Sequence, residues 1–223
     1  MSWDTILFDL DGTITDSQMS ITESTAYALR CYGIRVEDTA ELKAFIGPPL
    51  QDSFMRFYGF SAEQGVEAIS KFREYFNREG WQKDVAYAGI ERTLQRLTEA
   101  GKKLLVATSK PEVYAIRILE HLNLRRYFSA VYGAPLAEHT GARKDLIVAR
   151  ALKESGVTDL NCAVMVGDRS HDVIGAKTAG IETVGVLYGY GSREELLQAG
   201  ALLLANDPEE LCAILLSETE SST

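Results

Sequence analysis

Side chains able to do chemistry stand directly after three short apolar runs. Asp9-Leu10-Asp11-Gly12-Thr13 follows Ile6-Leu7-Phe8, and Thr108-Ser109-Lys110-Pro111 follows Leu104-Leu105-Val106-Ala107. Gly167-Asp168-Arg169-Ser170-His171-Asp172 follows Cys162-Ala163-Val164-Met165-Val166. Carboxylates brought to one place repel unless a hard cation sits among them. Magnesium, which takes oxygen ligands, suits Asp9, Asp11, Asp168 and Asp172. A lone Asp-x-Asp would mean little, being common in solvated turns. The recurrence of acidic groups at the ends of separate apolar runs is the informative feature.

The elements that must position these groups follow from periodicity. Short apolar runs alternate with helical patterns, the signature of a parallel sheet with crossover helices. Further strands are expected at Thr183 to Val186, Ala201 to Leu204 and Phe128 to Tyr132. Helical faces are read at Ile90, Leu94, Leu97 and at Val113, Ile116, Leu119, with Gly101 capping the first of them. In an open parallel sheet the carboxyl ends of the strands form the ligand-binding edge, which places Asp9, Asp11, Thr108, Asp168 and Asp172 in one cleft. Residues 15–85 break the rhythm. They contain no convincing strand, but amphipathic stretches run along Val66, Ile69, Phe72, Tyr75, Phe76 and along Leu50, Phe54, Phe57, Tyr58. Between helices, Pro48 and Pro49 stiffen a bend. The segment reads as a small helical domain inserted after the first strand, placed to cover the sheet's carboxyl edge.

Composition limits the function classes. At 223 residues the chain can bury one core plus a small appended domain. Its formal net charge of −9 opposes long-range attraction to nucleic acid or an anionic membrane, while leaving room for a small anionic substrate in a cleft. No apolar run is long enough to span a bilayer, and the start lacks a secretion-signal pattern. Cys31, Cys162 and Cys212 are expected to be buried thiols, neither disulfides nor zinc ligands, in a cytoplasmic protein. A monomer or weak homodimer is expected, and the end from Ser217 to Thr223 is polar and expected to fray.

The pairing of Asp9-x-Asp11-Gly12-Thr13 with Gly167-Asp168-x-x-x-Asp172 resembles the haloacid dehalogenase superfamily of phosphatases, over about Asp4 to Leu216. The resemblance implies an α/β fold: a Rossmann-like parallel sheet core (1–14 and 86–223) with an inserted α-helical cap (15–85). It makes Asp9 the nucleophile toward phosphorus and Asp11 the proton donor and later acceptor. Magnesium would lie between Asp9, the Asp11 carbonyl and Asp168, with Asp172 in support. Gly12 would let the backbone approach the phosphate, and Thr13 would cap the next turn or meet the phosphate. Thr108 would hydrogen-bond the phosphoryl group, leaving Ser109 to cap a helix starting at Pro111 or to join it. Lys144 matches the family's charge-balancing lysine, with Arg143 as competitor; at a helix start the dipole disfavours a cation, which is easier to understand if Lys144 faces carboxylates. Lys110, Arg169 and His171 are read either as substrate contacts or as solvated loop residues. His121 and His139 lack metal-ligand spacing, and Tyr188-Gly189-Tyr190-Gly191 reads as a turn.

The implied activity is magnesium-dependent hydrolysis of a small phosphomonoester, by the branch that includes phosphoglycolate phosphatases and proteins labelled 5′-nucleotidases. The segments Phe45 to Leu50, Ala107 to Pro111 and Val186 to Gly191 carry the latter likeness. A phosphosugar mutase is disfavoured because no histidine precedes His121. A dehalogenase would lack Asp11, and a non-enzymatic phosphate-binding regulator would not need the full set. The cap is expected to open for substrate and close against water, with Lys43 as a candidate contact.

Overall fold

A computed structural model describes residues 3–136 and 143–217; His139 and the chain end from residue 218 lie outside them. The central strand β1 (Thr5–Phe8) is fully buried, because its pleat sends Ile6 and Phe8 into one hydrophobic layer and Leu7 into another. It pairs in parallel with β4 (Lys103–Pro111) on one side and β6 (Ala163–Gly167) on the other. β5 (Ala130–Ala134), β7 (Glu182–Val186) and β8 (Leu203–Ala205) complete a parallel sheet ordered β5-β4-β1-β6-β7-β8.

Helices cover both faces. Ile6 and Phe8 share a core with α4 (Ile90–Glu99), α5 (Glu112–His121) and α9 (Pro208–Leu216), through Leu94, Ile118 and Leu211. Leu7 packs with α6 (Lys144–Glu154) and α7 (Ser170–Thr178), through Val148, Ala151 and Ala176. The short α8 (Arg193–Ala199) buries Leu196. Each fully buried Leu or Phe contributes roughly 1.5–3 kcal/mol of transfer free energy. The chain leaves β1 first to one side and returns to the other, so the strand order reverses around β1. Its carboxyl end is thus the crevice expected to hold a ligand.

Between β1 and α4 lies a helical insertion. α1 (Gln18–Cys31), α2 (Leu50–Tyr58) and α3 (Ala62–Arg78) pack together, with α1 against α3. α3 starts from a capping box of Ser61 and Gln64. The insertion is bracketed by a two-stranded antiparallel ribbon, β2 (Thr15–Asp16) and β3 (Val85–Ala86), which pairs Thr15 with Ala86 and Asp16 with Val85. Strands of two residues carry no periodicity, so the sequence reading found none there.

The structure shifts several helical faces. α3 buries Ala68, Ile69, Phe72 and Phe76, while Val66 is exposed. Phe54 is buried on α2 but Phe57 is exposed, and α5 turns Ala115, Ile118 and Leu119 inward, leaving Val113 in solvent. Among the cysteines only Cys212 is buried; Cys31 is exposed. All three are free thiols. Among the described residues no helix is long and apolar enough to cross a membrane.

Candidate active site

The carboxyl ends of β1, β4 and β6 converge. Asp9, Asp168 and Asp172 are buried, and one oxygen of each lies within 4.8 Å of the others. Lys144, the first residue of α6, reaches this cluster: its Nζ lies 2.7 Å from Asp9 Oδ1 and 2.7 Å from Asp172 Oδ1. It also donates to the Ala107 carbonyl at 3.0 Å. Arg143 instead pairs with Asp145 on the surface, so Lys144 alone of the two faces the carboxylates.

Three carboxylates and one ammonium leave two negative charges in a buried space. Burial pushes the Asp9 carboxyl up to about 6, against the opposing pull of Lys144, and Asp172 adds to the rise. Asp168 is pushed well above the usual carboxylate range by burial, then by Asp172 and Asp9. Burial works against the charge on Lys144, but Asp172 and Asp9 outweigh it and raise its pKa. A divalent cation would supply the missing charge, and the donors are all hard oxygens; the residues present fit magnesium.

Asp168 is tightly framed. Gly12 has φ +86°, and a Cβ there would lie 2.2 Å from Asp168 Oδ2. The glycine therefore makes room for Asp168. Thr13 is fully buried, its hydroxyl donating to Asp168 Oδ1 at 3.5 Å, and it does not line the cavity. From the loop after β7, the Tyr190 amide donates to Asp168 Oδ2 at 2.8 Å. The Tyr190 hydroxyl donates to Asp16 at 2.7 Å and accepts from the Ser17 amide, and Tyr188 donates to the Thr13 carbonyl. The Tyr188 to Gly191 turn thus ties the Asp168 loop to the first crossing into the insertion. Its alternating Tyr-Gly pattern was the available signal.

Asp11 lines the cavity beside Asp9, as expected, but its carboxylate is not among the three that gather; Lys110 Nζ holds it at 2.7 Å. The expected cluster of four carboxylates is thus one of three, and the Asp11 carbonyl is the atom that the resemblance expects at the magnesium. Lys110 is itself buried, with Asp84 Oδ2 at 3.5 Å and the Phe76 ring centroid at 5.3 Å. Thr108 is buried at the β4 end, and its hydroxyl accepts from the Lys110 amide at 3.2 Å. Ser109 is not a helix cap: α5 begins at Glu112, its cap position is Pro111, and no side chain caps it. Thr108, Ser109 and Lys110 all line the same cavity as Asp9 and Asp11.

That cavity has a volume of about 950 Å³. Its floor carries Asp9, Lys144 and Asp172, and the insertion contributes Phe45, Leu50, Ile69, Phe72 and Phe76. Arg73 of α3 is a cavity-lining cation that the sequence reading passed over, whereas Lys43 is exposed and outside the lining. His171 lines the rim. Arg169 joins the two parts of the chain: Nε donates to Glu195 at 2.9 Å and Nη1 to the Ile46 carbonyl at 2.9 Å. Asp84 was missed as well, since a single Asp between helical segments has no sequence signature.

A doubly wound sheet thus carries a carboxylate cluster able to hold a cation at its switch point, beside a cavity lined by apolar residues of the insertion. The haloacid dehalogenase-like hydrolase model matches residues 6–186, and the chain belongs to that family. It is 41% identical over 210 residues to a protein of Pseudomonas aeruginosa named 5′-nucleotidase, covering 94% of this chain and 91% of that one. It is 39% identical to tyrosine-protein kinase PtkA of Mycobacterium tuberculosis, over 83% of this chain but 62% of the kinase. A crystal structure of a predicted phosphatase from Clostridium acetobutylicum superposes with a TM-score of 0.92 at 42% identity, covering 97% of this chain and 99% of the other. The protein is a phosphatase of this family, acting on phosphorylated substrates.

Proposed function

We propose that the protein hydrolyses a small phosphomonoester in a magnesium-dependent reaction that passes through an aspartyl-phosphate on Asp9. The observation that carries this reading is the Asp9 carboxylate held by Lys144 beside Asp168 and Asp172, on the floor of the 950 Å³ cavity. Asp9, Asp168 and Asp172 would hold the magnesium. When bound, it would supply the positive charge that lets an anionic nucleophile approach an anionic phosphoryl group.

The chain's own groups do the rest. An Asp9 carboxylate oxygen attacks phosphorus, and the P–O bond to the ester oxygen breaks. Asp11 gives its proton to that oxygen, so the leaving group departs as an alcohol. Water then attacks the phosphorus, Asp11 takes its proton, and inorganic phosphate leaves with Asp9 restored. Lys144 neutralises charge on Asp9 and the phosphoryl oxygens throughout. Thr108, on the cavity wall, offers its hydroxyl to the phosphoryl group, and Ser109 and Lys110 flank it.

The leaving group would lie under the insertion. A two-carbon acid such as phosphoglycolate would find Arg73, Arg143 and Arg169 on the cavity wall for its carboxylate, but would leave most of the apolar volume unfilled. A nucleoside monophosphate fills more of the volume and offers a flat ring to Phe45, Phe72 and Phe76. The test is phosphate release from nucleoside monophosphates, phosphoglycolate and p-nitrophenyl phosphate, with magnesium and with chelator. Metal-dependent turnover with nucleotides preferred is the expected result. Preference for phosphoglycolate would overturn the substrate reading, and no turnover of any ester would overturn the activity.

A further inference from the structure

Asp84 stands where the insertion rejoins the sheet, one residue before β3. It is 1% exposed and does not line the cavity. Its Oδ1 accepts from Ser20 Oγ of α1. Its Oδ2 has no hydrogen-bond partner among the described residues and faces Lys110 Nζ at 3.5 Å. Lys110 Nζ in turn lies 2.7 Å from Asp11 Oδ1. One buried ammonium therefore sits between the carboxylate assigned to proton transfer and a second carboxylate outside the cavity.

This arrangement is poorly explained by stability. Buried ion pairs lose about as much in desolvation as they gain in attraction, and apolar replacements are often neutral or better. A lysine ammonium is also a compact charge on a flexible stem, which follows whichever anion is in reach. Lys110 lines the cavity, so an incoming phosphoryl group would compete with Asp11 for it. Asp84, itself pinned by Ser20, gives Lys110 a fixed counter-charge on the side away from the substrate.

We propose that Asp84 is a positioning residue for proton transfer, acting through Lys110 to hold the Asp11 carboxyl where the leaving oxygen needs it. The inference rests on the reading of Asp11 as acid and base. It predicts a loss that depends on the leaving group. An alkoxide leaving group needs the proton, whereas p-nitrophenolate departs without it. The comparison uses kcat/KM, which reports only the steps up to release of the alcohol or phenol.

Asp84→Asn should lower kcat/KM at least tenfold on a nucleoside monophosphate, within the range of general acid catalysis. The loss on p-nitrophenyl phosphate should be under about threefold. Adding Asp84→Asn to Lys110→Met should cost nothing beyond Lys110→Met alone, because the two act in series. Equal losses on both esters, or additive losses in the double variant, would overturn the proposal. If Asp84→Asn does not fold, Ser20→Ala decides: ester-selective loss supports the proposal, and unselective or absent loss overturns it. Asp11→Asn serves as the reference. Absence of ester selectivity there would overturn the acid–base reading itself, whereas selectivity there and none in Asp84→Asn would overturn only the part given to Asp84.

Discussion

Lys144 Nζ lies 2.7 Å from Asp9 Oδ1 although 135 residues separate them in the chain. The same ammonium pairs with Asp172, so it balances the cluster from a helix start where the dipole would disfavour it. Lys144→Met leaves three buried carboxylates without a counter-charge. Turnover should fall at least a hundredfold, as expected for lost charge stabilisation. In chelator the variant should lose about 3–5 kcal/mol of stability, with part recovered on adding magnesium. Urea unfolding with chelator and with magnesium checks this; wild-type stability in chelator would contradict the charge count.

Gly12→Ala should be damaging out of proportion to its size. The new methyl would lie 2.2 Å from Asp168 Oδ2, at a φ of +86° that alanine resists. Displacing a metal-binding carboxylate by about 1 Å can cost on the order of a hundredfold in rate. A steady-state magnesium titration should show both a lower maximum and a higher magnesium requirement. An unchanged magnesium requirement would argue against Asp168 as a ligand.

Asp9→Asn should stabilise the metal-free protein. The Asp9 carboxyl is raised by burial from 3.8 to about 6, so between those values the unfolded chain releases a proton that the folded one keeps. Stability from this group is therefore lost as pH rises from about 4 to 6, amounting to roughly 3 kcal/mol above pH 6. The variant's advantage over wild type should be absent near pH 4, grow to pH 6 and then level off. Thermal unfolding across that range in chelator tests the sign; an advantage that shrinks with rising pH would contradict it.

Arg169→Ala removes the donor that joins the Ile46 carbonyl of the insertion to Glu195 of α8. We expect a several-fold rise in KM for nucleotide esters with a smaller change in kcat, because substrate binding under the insertion is weakened. A variant with unchanged KM and reduced kcat would place Arg169 in the chemistry instead.

The legible parts of this molecule were those that repeat a physical rule. Apolar runs ending in Asp9, Thr108 and Asp168 announced a parallel sheet with its chemistry at one edge; there Asp9 gathers with Asp168 and shares the cavity with Thr108. Lys144 was picked out by its likeness to the family's charge-balancing lysine, and its place at a helix start, where the dipole disfavours a cation, agreed with that. Other features were set by tertiary contacts that leave no local pattern. The carboxylate of Asp11 turns to Lys110 because Asp84 and Phe76 hold that lysine nearby, and neither is close in sequence. That Gly12 and Thr13 also pack against Asp168, at the end of the neighbouring strand, had no local pattern to announce it. The two-residue strands of the ribbon and the exposure of Val66, Val113 and Cys31 depended on packing partners unknown from the sequence.

The most direct test of the central claim is to trap the phosphorylated enzyme. Asp11→Asn, which should slow hydrolysis of the intermediate, would be mixed with magnesium and p-nitrophenyl phosphate, whose leaving group needs no proton from Asp11, then quenched and reduced with borohydride. An acyl phosphate at Asp9 is converted to homoserine by that treatment, and peptide mass mapping locates it. Homoserine at position 9, absent without substrate, is the predicted result. An unmodified Asp9, together with turnover retained in Asp9→Asn, would contradict transfer through Asp9.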